Sequence, residues 1–525
     1  MSTYSCFSLA AGLAAFLAGS CAVSFAQTNL ASANSTTSVT AGGHNDKATM
    51  VRHLDAIFNA PKWRSGRWGV MVQDLGTSEI LYQRDADKSF MPASNLKLYT
   101  TSAAYVTLGK DFQYETPIYA SGNIDADGTL HGNLVVVGSG DPSISGRYQK
   151  EHPTTGTLAE WTAAVKAAGI KAVDGAVIGD DDVFDDSPVA GSWQLDYLQE
   201  WYAAESTGLA INDNCWDALV IPAASAGAPA TIESLYPTPY THFIDHVMTE
   251  ANGDPIPGPD SDEDPVNMTR EPDTNDITLS GTVTAGSKPI ALWGSVHNGT
   301  LWSVTLFNNE LARQGIKVSQ GAKDIDDLPR NEAAALKANR GKLVHVHKSP
   351  PLSKILAFLL KPSQNFYADM LLKTLGAHYK GIGSFRRGRD VVKDYLTSAG
   401  VDAGSLSMVD GSGLSRQDLV EPRMTLAILR NLSERPDFAE YENALPIMGV
   451  DGTLRSRMKN TPAQGNVRAK TGTINRVRSL SGYLTTISGR HLAFVMMGNE
   501  YEPATSQATR AQDEAVMEML WYSGK

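Results

Sequence analysis

The first hundred residues combine a strand pattern with a helical one. Residues 68–73 and 80–84 are two short, mainly apolar segments on either side of a glycine, which predicts a β-hairpin. Residues 94–108 are apolar on nearly every face, and this predicts a buried helix. Lys97 is the only charged residue of that segment. We therefore expect the Lys97 side chain to lie in the interior or on the floor of a cleft.

The end of the chain repeats this combination of strands and helix. Residues 479–486 and 490–498 favour β-structure and predict two strands joined by a Ser-Gly turn. Residues 512–522 have apolar side chains at helical spacing. Because that segment also has three acidic residues, it predicts a final core helix rather than a membrane-lying one. We expect one α/β (α+β) domain that uses both ends of the chain.

The middle of the chain predicts additional β-rich modules. Its apolar residues alternate in short segments, which are interrupted by a stretch rich in Pro, Gly and Asp near 253–265. The predicted strands are 117–121, 134–137, 277–284 and 291–296, and the predicted helix is 301–314. We interpret this region as two inserted modules, one nested in the other.

The composition is that of a globular protein and argues against some partners. Of the 525 residues, 42% are hydrophobic and 19% are charged, and the formal net charge is −12. Because nucleic-acid binding needs a basic footprint, this charge argues against a nucleic-acid partner. The sequence has neither an H-E-x-x-H motif nor a Walker loop, and we expect no metal and no cofactor.

The amino-terminal residues 1–26 predict a signal peptide. An apolar run over 9–26 ends with small residues at the positions that signal peptidase requires. Cys21 lies in a segment that loosely resembles a lipoprotein cleavage box, but cleavage after Ala26 is preferred. Residues 27–45 have no Asp, Glu, Lys or Arg and predict a flexible linker. We expect a periplasmic or secreted protein without a stable transmembrane anchor.

Three short motifs occur in a fixed order and indicate the chemistry. They are Ser94-Asn95-Leu96-Lys97, Ser363-Gln364-Asn365 and Lys470-Thr471-Gly472. A single S-x-x-K motif is common, and the chain has a second one at 456–459, whereas it has only one K-T-G. The ordered set is the signature of penicillin-binding serine acyl-transfer enzymes, in which the three motifs face one cleft.

Ser94 and Lys97 are the candidate nucleophile and base. A serine hydroxyl is a poor nucleophile unless a base lies within hydrogen-bond reach. Residues three apart share one face of a helix, so we expect Lys97 to contact Ser94. Burial lowers the pKa of a lysine and allows it to accept the serine proton. Alone, the motif more often marks a lysine that extends from a core helix to solvent, but the other motifs favour catalysis.

Ser363 and Asn365 follow a proline that separates two predicted helices, 352–360 and 365–379. We therefore expect them on a turn. The Ser363 hydroxyl is suited to passing a proton to a leaving amine, and the Asn365 amide is suited to binding both Lys97 and a substrate carbonyl. Alone, this motif would indicate a helix cap.

Lys470, Thr471, Gly472 and Thr473 precede the last two predicted strands. Gly472 has no side chain, which lets a peptide lie along that edge as an added strand. The Lys470 ammonium and the two threonine hydroxyls are suited to binding a terminal carboxylate. The N–H groups of Ser94 and Thr473 would form an oxyanion hole. A basic strand start is the alternative explanation, but it does not account for the ordered set.

The motif set closely resembles the class C low-molecular-mass penicillin-binding proteins, which are D-alanyl-D-alanine carboxypeptidases and endopeptidases of peptidase family S13. The resemblance extends over about residues 50–520 through D-G-S-G-L-S-R at 410–416, G-V-D-G-T-L at 449–454 and S-L-S-G-Y at 479–483. It implies a β-lactamase-like catalytic domain interrupted by two inserted domains. It also implies peptidoglycan stem peptides as substrates and acylation by β-lactam antibiotics.

The spacing of the motifs locates the insertion. Ser94 and Ser363 lie 269 positions apart, whereas Ser363 and Lys470 lie 107 apart, so the insertion falls in the first gap. We expect the catalytic domain at 46–112 and 338–525, an inserted β-rich domain at 113–180 and 286–337, and a nested domain at 181–285.

The resemblance also implies roles for single residues. Ser94 would be the nucleophile and Lys97 its base, while Ser363, Asn365 and Lys470 would line the cleft. Related enzymes contact the diamino acid of the stem peptide through an aspartate of the insertion. Asp180 is our candidate for this residue, although an acidic turn would give the same pattern. Gln364 stands where close relatives often have Asp.

Two other functions account for parts of the pattern. In a β-lactamase, Tyr441-Glu442-Asn443 would be a Y-x-N motif, but it lies only 29 residues before Lys470 and inside a predicted helix. A noncatalytic peptidoglycan-binding or scaffold protein would retain the fold, but such proteins usually lose the nucleophile or the base. The sequence does not determine whether the protein acts mainly as a carboxypeptidase or as an endopeptidase. It also leaves open the identity of the stem-peptide diamino acid and the oligomeric state.

Overall fold

The computed structural model describes residues 45–147, 153–252 and 265–525. The α-helices in these ranges are α1 (Lys47–Phe58), α2 (Lys97–Thr107), α3 (Thr154–Ala167), α4 (Gly299–Arg313), α5 (Arg330–Ala338), α6 (Leu352–Leu360), α7 (Asn365–Lys380), α8 (Phe385–Ser398), α9 (Pro422–Ser433), α10 (Phe438–Ala444) and α11 (Thr505–Leu520). The strands are β1 (Arg67–Asp74), β2 (Ile80–Arg84), β3 (Glu115–Ile124), β4 (Thr129–Val137), β5 (Ala172–Val173), β6 (Val177–Asp180), β7 (Cys215–Ile221), β8 (Thr231–Ser234), β9 (His242–Glu250), β10 (Val266–Arg270), β11 (Asp276–Thr284), β12 (Ile290–Ser295), β13 (Lys317–Val318), β14 (Ala322–Asp324), β15 (Lys342–Lys348), β16 (Arg468–Ile474), β17 (Val477–Thr485) and β18 (His491–Asn499). The predicted signal peptide and residues 27–44 of the predicted linker lie outside the described ranges.

A five-stranded antiparallel sheet takes its strands from both ends of the chain, as the pattern of apolar residues predicts. Its order is β16-β17-β18-β1-β2. Successive side chains of a strand point to opposite faces, and both faces of this sheet are covered. Val70 and Val72 of β1 pack with α1 and α11, whereas Met71 packs with the layer that contains α2, α6, α7 and α9. Over the described ranges, no helix has both the length and the apolar character needed to cross a bilayer.

Two motif-bearing segments differ from their predicted structure. The α-helix α2 begins at Lys97, and Ser94 lies in a 3-10 turn over Ala93–Leu96. The K-T-G motif lies inside strand β16 rather than before the last strands. Its lysine and glycine have low β-propensity, but β16 pairs with β17 from Arg468 to Ile474, and this tertiary pairing determines its structure.

The described strands of the insertion form three sheets. In the largest sheet, which has seven strands, β13, β5, β4, β3 and β15 follow one another, and β6 and β14 pair beside β4. Two three-stranded sheets have the orders β10-β11-β9 and β12-β7-β8. Trp161 of α3 and Trp302 of α4 are fully buried in the core that these sheets share.

The domain boundaries stay predictions, but two strands pair across them. Strand β15 pairs with β3, although it falls in the range predicted for the catalytic domain. Strand β12 pairs with β7 of the predicted nested domain. Neither pairing is visible in a local pattern, because each partner lies more than sixty positions away in the sequence.

A buried lysine connects the insertion to helix α7. The Lys373 side chain is fully buried and forms an ion pair of 3.0 Å with Asp185. Its ammonium also donates to the carbonyl oxygen of Ser206 at 3.0 Å and lies 5.1 Å from the ring centre of Phe184. Because α7 begins at Asn365, these contacts hold the insertion against the helix that carries a candidate catalytic residue.

Candidate active site

Ser94 lies on a tight turn at the amino end of α2. Ala93 begins this turn with a φ of +46°, a conformation that residues other than glycine rarely adopt. The buried Asn499 side chain holds the preceding segment, since it accepts from the Met91 N–H at 2.7 Å and donates to the Met91 carbonyl oxygen at 3.1 Å. Contacts from β18 therefore hold the segment just before the predicted nucleophile, which includes the strained Ala93.

Lys97 joins the first two motifs and a loop. Its ammonium contacts Ser94 Oγ at 2.9 Å and donates to Asn365 Oδ1 at 2.7 Å and to the Ser412 carbonyl oxygen at 2.8 Å. The side chain is fully buried. The predicted pairing of nucleophile and base is therefore present, with Asn365 as the predicted second partner of the base.

Burial sets the acidity of this lysine. It lowers the pKa of Lys97 to about 8, against the opposing effect of three buried carboxyl groups, those of Asp369, Asp410 and Asp418. Burial also raises the pKa of the Asp369 and Asp418 carboxyls well above their usual range. With its pKa at about 8, roughly a tenth of Lys97 is neutral at pH 7 and able to accept a proton.

Lys470 and Ser363 form a second buried pair. The Lys470 ammonium donates to Ser363 Oγ at 2.7 Å and to the Thr471 carbonyl oxygen at 2.8 Å. Burial lowers the pKa of Lys470 well below its usual range, and the charges of Lys97 and Arg478 lower it further. Ser363 has a φ of +67° and lies on a turn, as predicted.

Gly472 is required by a close approach of two backbones. A Cβ at this position would lie 2.6 Å from the Pro92 carbonyl oxygen and 3.1 Å from the Ser94 nitrogen. The glycine therefore lets β16 pack against the turn that carries the nucleophile. The sequence predicts a different reason for this glycine, namely the access that it would give to a peptide substrate. Whether Gly472 also contacts substrate stays a prediction.

The hydroxyls that flank Gly472 have partners on two neighbouring segments. Thr471 Oγ1 lies 2.7 Å from Thr453 Oγ1, which belongs to the G-V-D-G-T-L motif. Thr473 Oγ1 accepts from the guanidinium of Arg478. Sequence reasoning assigned no role to Thr453 or to Arg478.

A cavity of about 280 Å³ opens beside Ser94. Its lining combines the motifs with residues of the insertion and is formed by Ser94, Tyr197, Tyr202, Asn365, Gly413, Leu414, Thr473, Ile474 and Asn475. Tyr202 also accepts at its carbonyl oxygen from Asn365 Nδ2 at 2.9 Å. The insertion therefore completes the site, and no local signal in the sequence marks Tyr197 or Tyr202.

The D-G-S-G-L-S loop directs a carbonyl group at Lys97. The buried Asp410 carboxylate accepts from the N–H groups of Ser412 at 3.1 Å, Gly413 at 2.7 Å and Ser415 at 2.8 Å. Gly413 has a φ of +84°, and a Cβ there would lie 1.9 Å from the Ala93 carbonyl oxygen. Asp410 and Gly413 therefore determine the shape of this loop, a role that the motif alone does not indicate.

Asp180 is the one predicted site residue that lies apart from this cluster. It ends β6 in the seven-stranded sheet, is 2% exposed and pairs with the Arg340 guanidinium at 2.7 Å. It is not part of the lining of the cavity beside Ser94. Its contact with a substrate stays a prediction.

Gln364 fits a carboxylate supplied by the insertion. Its Nε2 donates to Asp213 Oδ2 at 3.0 Å, and both side chains are buried. Burial raises the pKa of Asp213 to about 6, against the opposing charge of Arg147. An aspartate at position 364 would place a second acid near Asp213, which explains why this chain has an amide there.

The competing motifs lie elsewhere. Tyr441 is fully buried in helix α10, where its hydroxyl lies 2.7 Å from Thr101 Oγ1. Ser456 and Lys459 of the spare S-x-x-K are both exposed. Among the described residues, the two groups of side chains with suitable spacing for a metal ion are Glu160 with His345 and His347 and Asp181 with Asp324 and Asp326, and neither includes a residue of the cluster around Ser94.

Comparisons with known proteins cover most of the chain. The model of the D-Ala-D-Ala carboxypeptidase 3 (S13) family matches residues 50–519. The chain is 30% identical over 482 residues to a D-alanyl-D-alanine carboxypeptidase of Actinomadura sp. (strain R39), a match that covers 90% of this chain and 84% of the relative. It is 29% identical over 454 residues to the D-alanyl-D-alanine carboxypeptidase DacB of Haemophilus influenzae, covering 85% and 89%.

A solved structure agrees with these matches. The crystal structure of penicillin binding protein 4 from Haemophilus influenzae has a TM-score of 0.75 at 27% identity and covers 90% of this chain and 99% of that one. The same protein in complex with a β-lactam has a TM-score of 0.70. These findings confirm the predicted family, the predicted fold class and the predicted D-alanyl-D-alanine carboxypeptidase activity.

The buried lysine predicts a rising pH profile for acylation. Because the neutral form of Lys97 accepts the proton and its pKa is about 8, the second-order rate constant for acylation by benzylpenicillin should rise about tenfold from pH 7 to pH 9. Lys97→Ala should lower this rate constant about 10²- to 10⁴-fold and abolish the rise. A folded Lys97→Ala protein with the wild-type profile would show that another group takes the proton.

The pair of Gln364 and Asp213 predicts a pH-dependent loss of stability. Gln364→Glu replaces the donor with a like charge and should lower the free energy of unfolding by roughly 1–3 kcal/mol at pH 8. Repulsion raises the pKa of both carboxyls in the folded state, so the loss should shrink as the pH falls below about 6. Urea unfolding measures both effects, and Gln364→Glu with Asp213→Asn should recover most of the loss. No recovery in the double variant would contradict the pairing.

Proposed function

Because the chain belongs to the D-Ala-D-Ala carboxypeptidase 3 (S13) family, we propose that Ser94 and Lys97 carry out its acyl transfer on peptidoglycan stem peptides. The observation that carries this proposal is the hydrogen bond of 2.9 Å between Ser94 Oγ and the ammonium of a fully buried lysine. A desolvated lysine at this distance has the geometry and the lowered pKa of a general base.

In the first step, Ser94 Oγ attacks the carbonyl carbon of the penultimate D-alanine. Neutral Lys97 takes the hydroxyl proton, and the carbonyl oxygen becomes an oxyanion that the N–H groups of Ser94 and Thr473 would bind. The bond between the carbonyl carbon and the terminal D-alanine nitrogen then breaks. Ser363 donates a proton to that nitrogen, and Lys470 replaces it through their contact of 2.7 Å. The products are an acyl ester on Ser94 and free D-alanine.

In the second step, a water molecule attacks the ester carbon. Before this attack Lys97 releases the proton that it gained in the first step, and Lys470 regains one. Neutral Lys97 then accepts a proton from the water, and this proton passes to Ser94 Oγ as the ester bond breaks. The shortened peptide leaves with a new carboxylate. A penicillin would follow the first step, but its leaving group stays attached to the acyl-enzyme, and the ester would be hydrolysed slowly.

Substrate binding involves the edge of the five-stranded sheet. Strand β16 is an edge strand, which can pair with an extended peptide. Asn365, held by Lys97 and the Tyr202 carbonyl, lies in the cavity lining beside the predicted path of the substrate. We assign Thr471 and Thr473 to the carboxylate end of the substrate, while Gly472 holds the strand against the Ser94 turn.

Two aspartates are candidates for contact with the stem-peptide diamino acid. At Asp180, an ammonium would have to displace the Arg340 guanidinium. Asp196 is exposed and adjoins Tyr197 of the cavity lining. Burial raises the pKa of Tyr202, and nearby negative charges that include Asp196 raise it further, which supports a position of Asp196 close to the cavity.

Export follows from the proposed substrate. Peptidoglycan lies outside the cytoplasmic membrane, and the apolar run over 9–26 supports removal of a signal peptide after Ala26. We propose a periplasmic or secreted mature protein, with lipidation at Cys21 as the less favoured route. The alternatives of a scaffold protein and of a β-lactamase have less support, because the nucleophile and base are in contact and Tyr441 does not line the cavity.

Fluorescent or plain benzylpenicillin tests the proposed acyl-enzyme. The purified wild-type protein should gain one penicillin mass, and tryptic digestion should locate it on the peptide that contains Ser94. Ser94→Ala should lose the adduct, whereas Ser456→Ala, in the exposed spare motif, should retain it. An adduct on another residue, or no adduct on folded wild-type protein, would refute the assignment.

Paired peptides distinguish the two aspartates. Asp196→Asn and Asp180→Asn are compared on a stem peptide with a free diamino-acid ammonium and on its N-acetylated counterpart. The residue that binds the ammonium should show a loss of about 10- to 100-fold in kcat/KM on the free-amine peptide only, since a hydrogen bond to a charged group is removed. Equal losses on both peptides would assign that aspartate to the fold.

A further inference from the structure

Two histidines of the insertion project from the same face of strand β15. His345 and His347 are two residues apart, and alternate residues of a strand point to the same side. Helix α3 packs on that side, since the ring of its buried Trp161 lies 5.9 Å from the ring of His347. Glu160, the residue before Trp161, places its carboxylate 3.3 Å from His345 Nε2. Two imidazoles and a carboxylate therefore meet between a helix and a strand.

The three side chains have the spacing of a metal site. Their ligand atoms all lie within 4.8 Å of one another. In a tetrahedral zinc site with bonds of about 2.1 Å, neighbouring ligand atoms lie about 3.4 Å apart. The separation of the Glu160 oxygen and His345 Nε2 already has this value. To complete the set, His347 would have to approach by at most about 1.4 Å.

His345 presents a nitrogen that needs a partner. Within the described part of the chain, its Nε2 is buried and has no hydrogen-bond partner, and its contact with Glu160 lacks hydrogen-bond geometry. A buried polar atom without a partner is unfavourable, and a metal ion between the two groups would provide one. The Glu160 side chain is 57% exposed, which leaves the site open to an ion from solvent.

A buried carboxyl group interacts with the second histidine. Asp141 is 2% exposed, and burial raises the pKa of its carboxyl, while the charge of His347 opposes that effect. Histidines that bind metal ions commonly have a carboxylate as an outer partner, which orients the ring and increases its basicity. Asp141 is therefore suited to this outer position behind the three ligands.

We propose that Glu160, His345 and His347 bind a transition-metal ion of the zinc type, which fastens helix α3 to strand β15. Imidazole ligands suit Zn²⁺, Ni²⁺ and Cu²⁺, whereas Mg²⁺ and Ca²⁺ prefer oxygen ligands. A water molecule would complete the tetrahedral set. The site shares no residue with the lining of the cavity beside Ser94 and is independent of the proposed reaction. The sequence predicts no metal, because Glu160 lies more than 180 positions before the histidines and no local motif joins them.

Calorimetric titration with Zn²⁺ tests the site. The mature protein is used without a histidine tag and after removal of metals with EDTA. Wild type should bind a single Zn²⁺ ion with saturation, and Zn²⁺ should raise its thermal midpoint, because a ligand that binds the folded state stabilises it. His345→Gln and Glu160→Gln should each weaken Zn²⁺ binding at least about tenfold and reduce the shift of the midpoint. Ca²⁺ at the same concentration should neither bind nor raise the midpoint.

A second histidine of the insertion provides the matched control. The two ring nitrogens of His131 contact different carboxylates, Asp174 at 2.6 Å and Asp125 at 3.0 Å. Because the ring lies between the two carboxylates, the three groups cannot turn toward one ion. His131→Gln should therefore bind Zn²⁺ as the wild type does.

The outcomes separate this site from the proposed active site. Glu160 is exposed, so Glu160→Gln provides the test if His345→Gln does not fold. A wild type without saturable Zn²⁺ binding, wild-type affinity in both variants, or an equal loss in His131→Gln would overturn the inference. Penicillin labelling of Ser94 should be the same with and without Zn²⁺ and in every variant, and labelling that depends on Zn²⁺ would contradict the independence of the two sites.

Discussion

The buried ammonium of Lys97 determines how four segments of the chain are arranged. A charged group without solvent costs several kcal/mol unless polar partners surround it, and here the partners are oxygens of Ser94, Asn365 and Ser412. Each partner lies on a different element. The Lys97 side chain needs all three oxygens around it. This requirement fixes the positions of the turn before α2, the first residue of α7 and the loop at 410–416.

The surrounding carboxyl groups keep the base within a useful range. Burial alone would lower the pKa of Lys97 further, and Asp369, Asp410 and Asp418 oppose that effect. The remaining shift, from 10.5 to about 8, corresponds to roughly 3 kcal/mol of preference for the neutral form. Asp410 has a second role, since its carboxylate also shapes the loop whose Ser412 carbonyl contacts Lys97. The same group therefore contributes to both the geometry and the acidity of the base.

The sequence predicts the parts of this site that short motifs encode. The ordered motifs predict that Ser94, Lys97, Ser363, Asn365 and Lys470 come together, and the structure has the contacts among them. The hairpin, the last two strands and the helices α2, α4, α6, α7 and α11 follow from local periodicity. The strained turn at Ala93 and the pairing of Arg478 with Thr473 do not, because each depends on a neighbour in space. Asp180 illustrates the same limit, since its partner Arg340 lies 160 positions away in the sequence.

The insertion contributes to the orientation of the candidate catalytic residues as well as to the fold. An asparagine amide has one donor end and one acceptor end, so fixing either end determines where the other points. The Tyr202 carbonyl accepts from Asn365 Nδ2, which leaves Asn365 Oδ1 for the Lys97 ammonium. Asp213 holds the adjacent Gln364 in the same way. Two residues of the insertion thus fix the orientation of the second motif. A structural change in the insertion would therefore move the Asn365 amide and alter its hydrogen bond to Lys97.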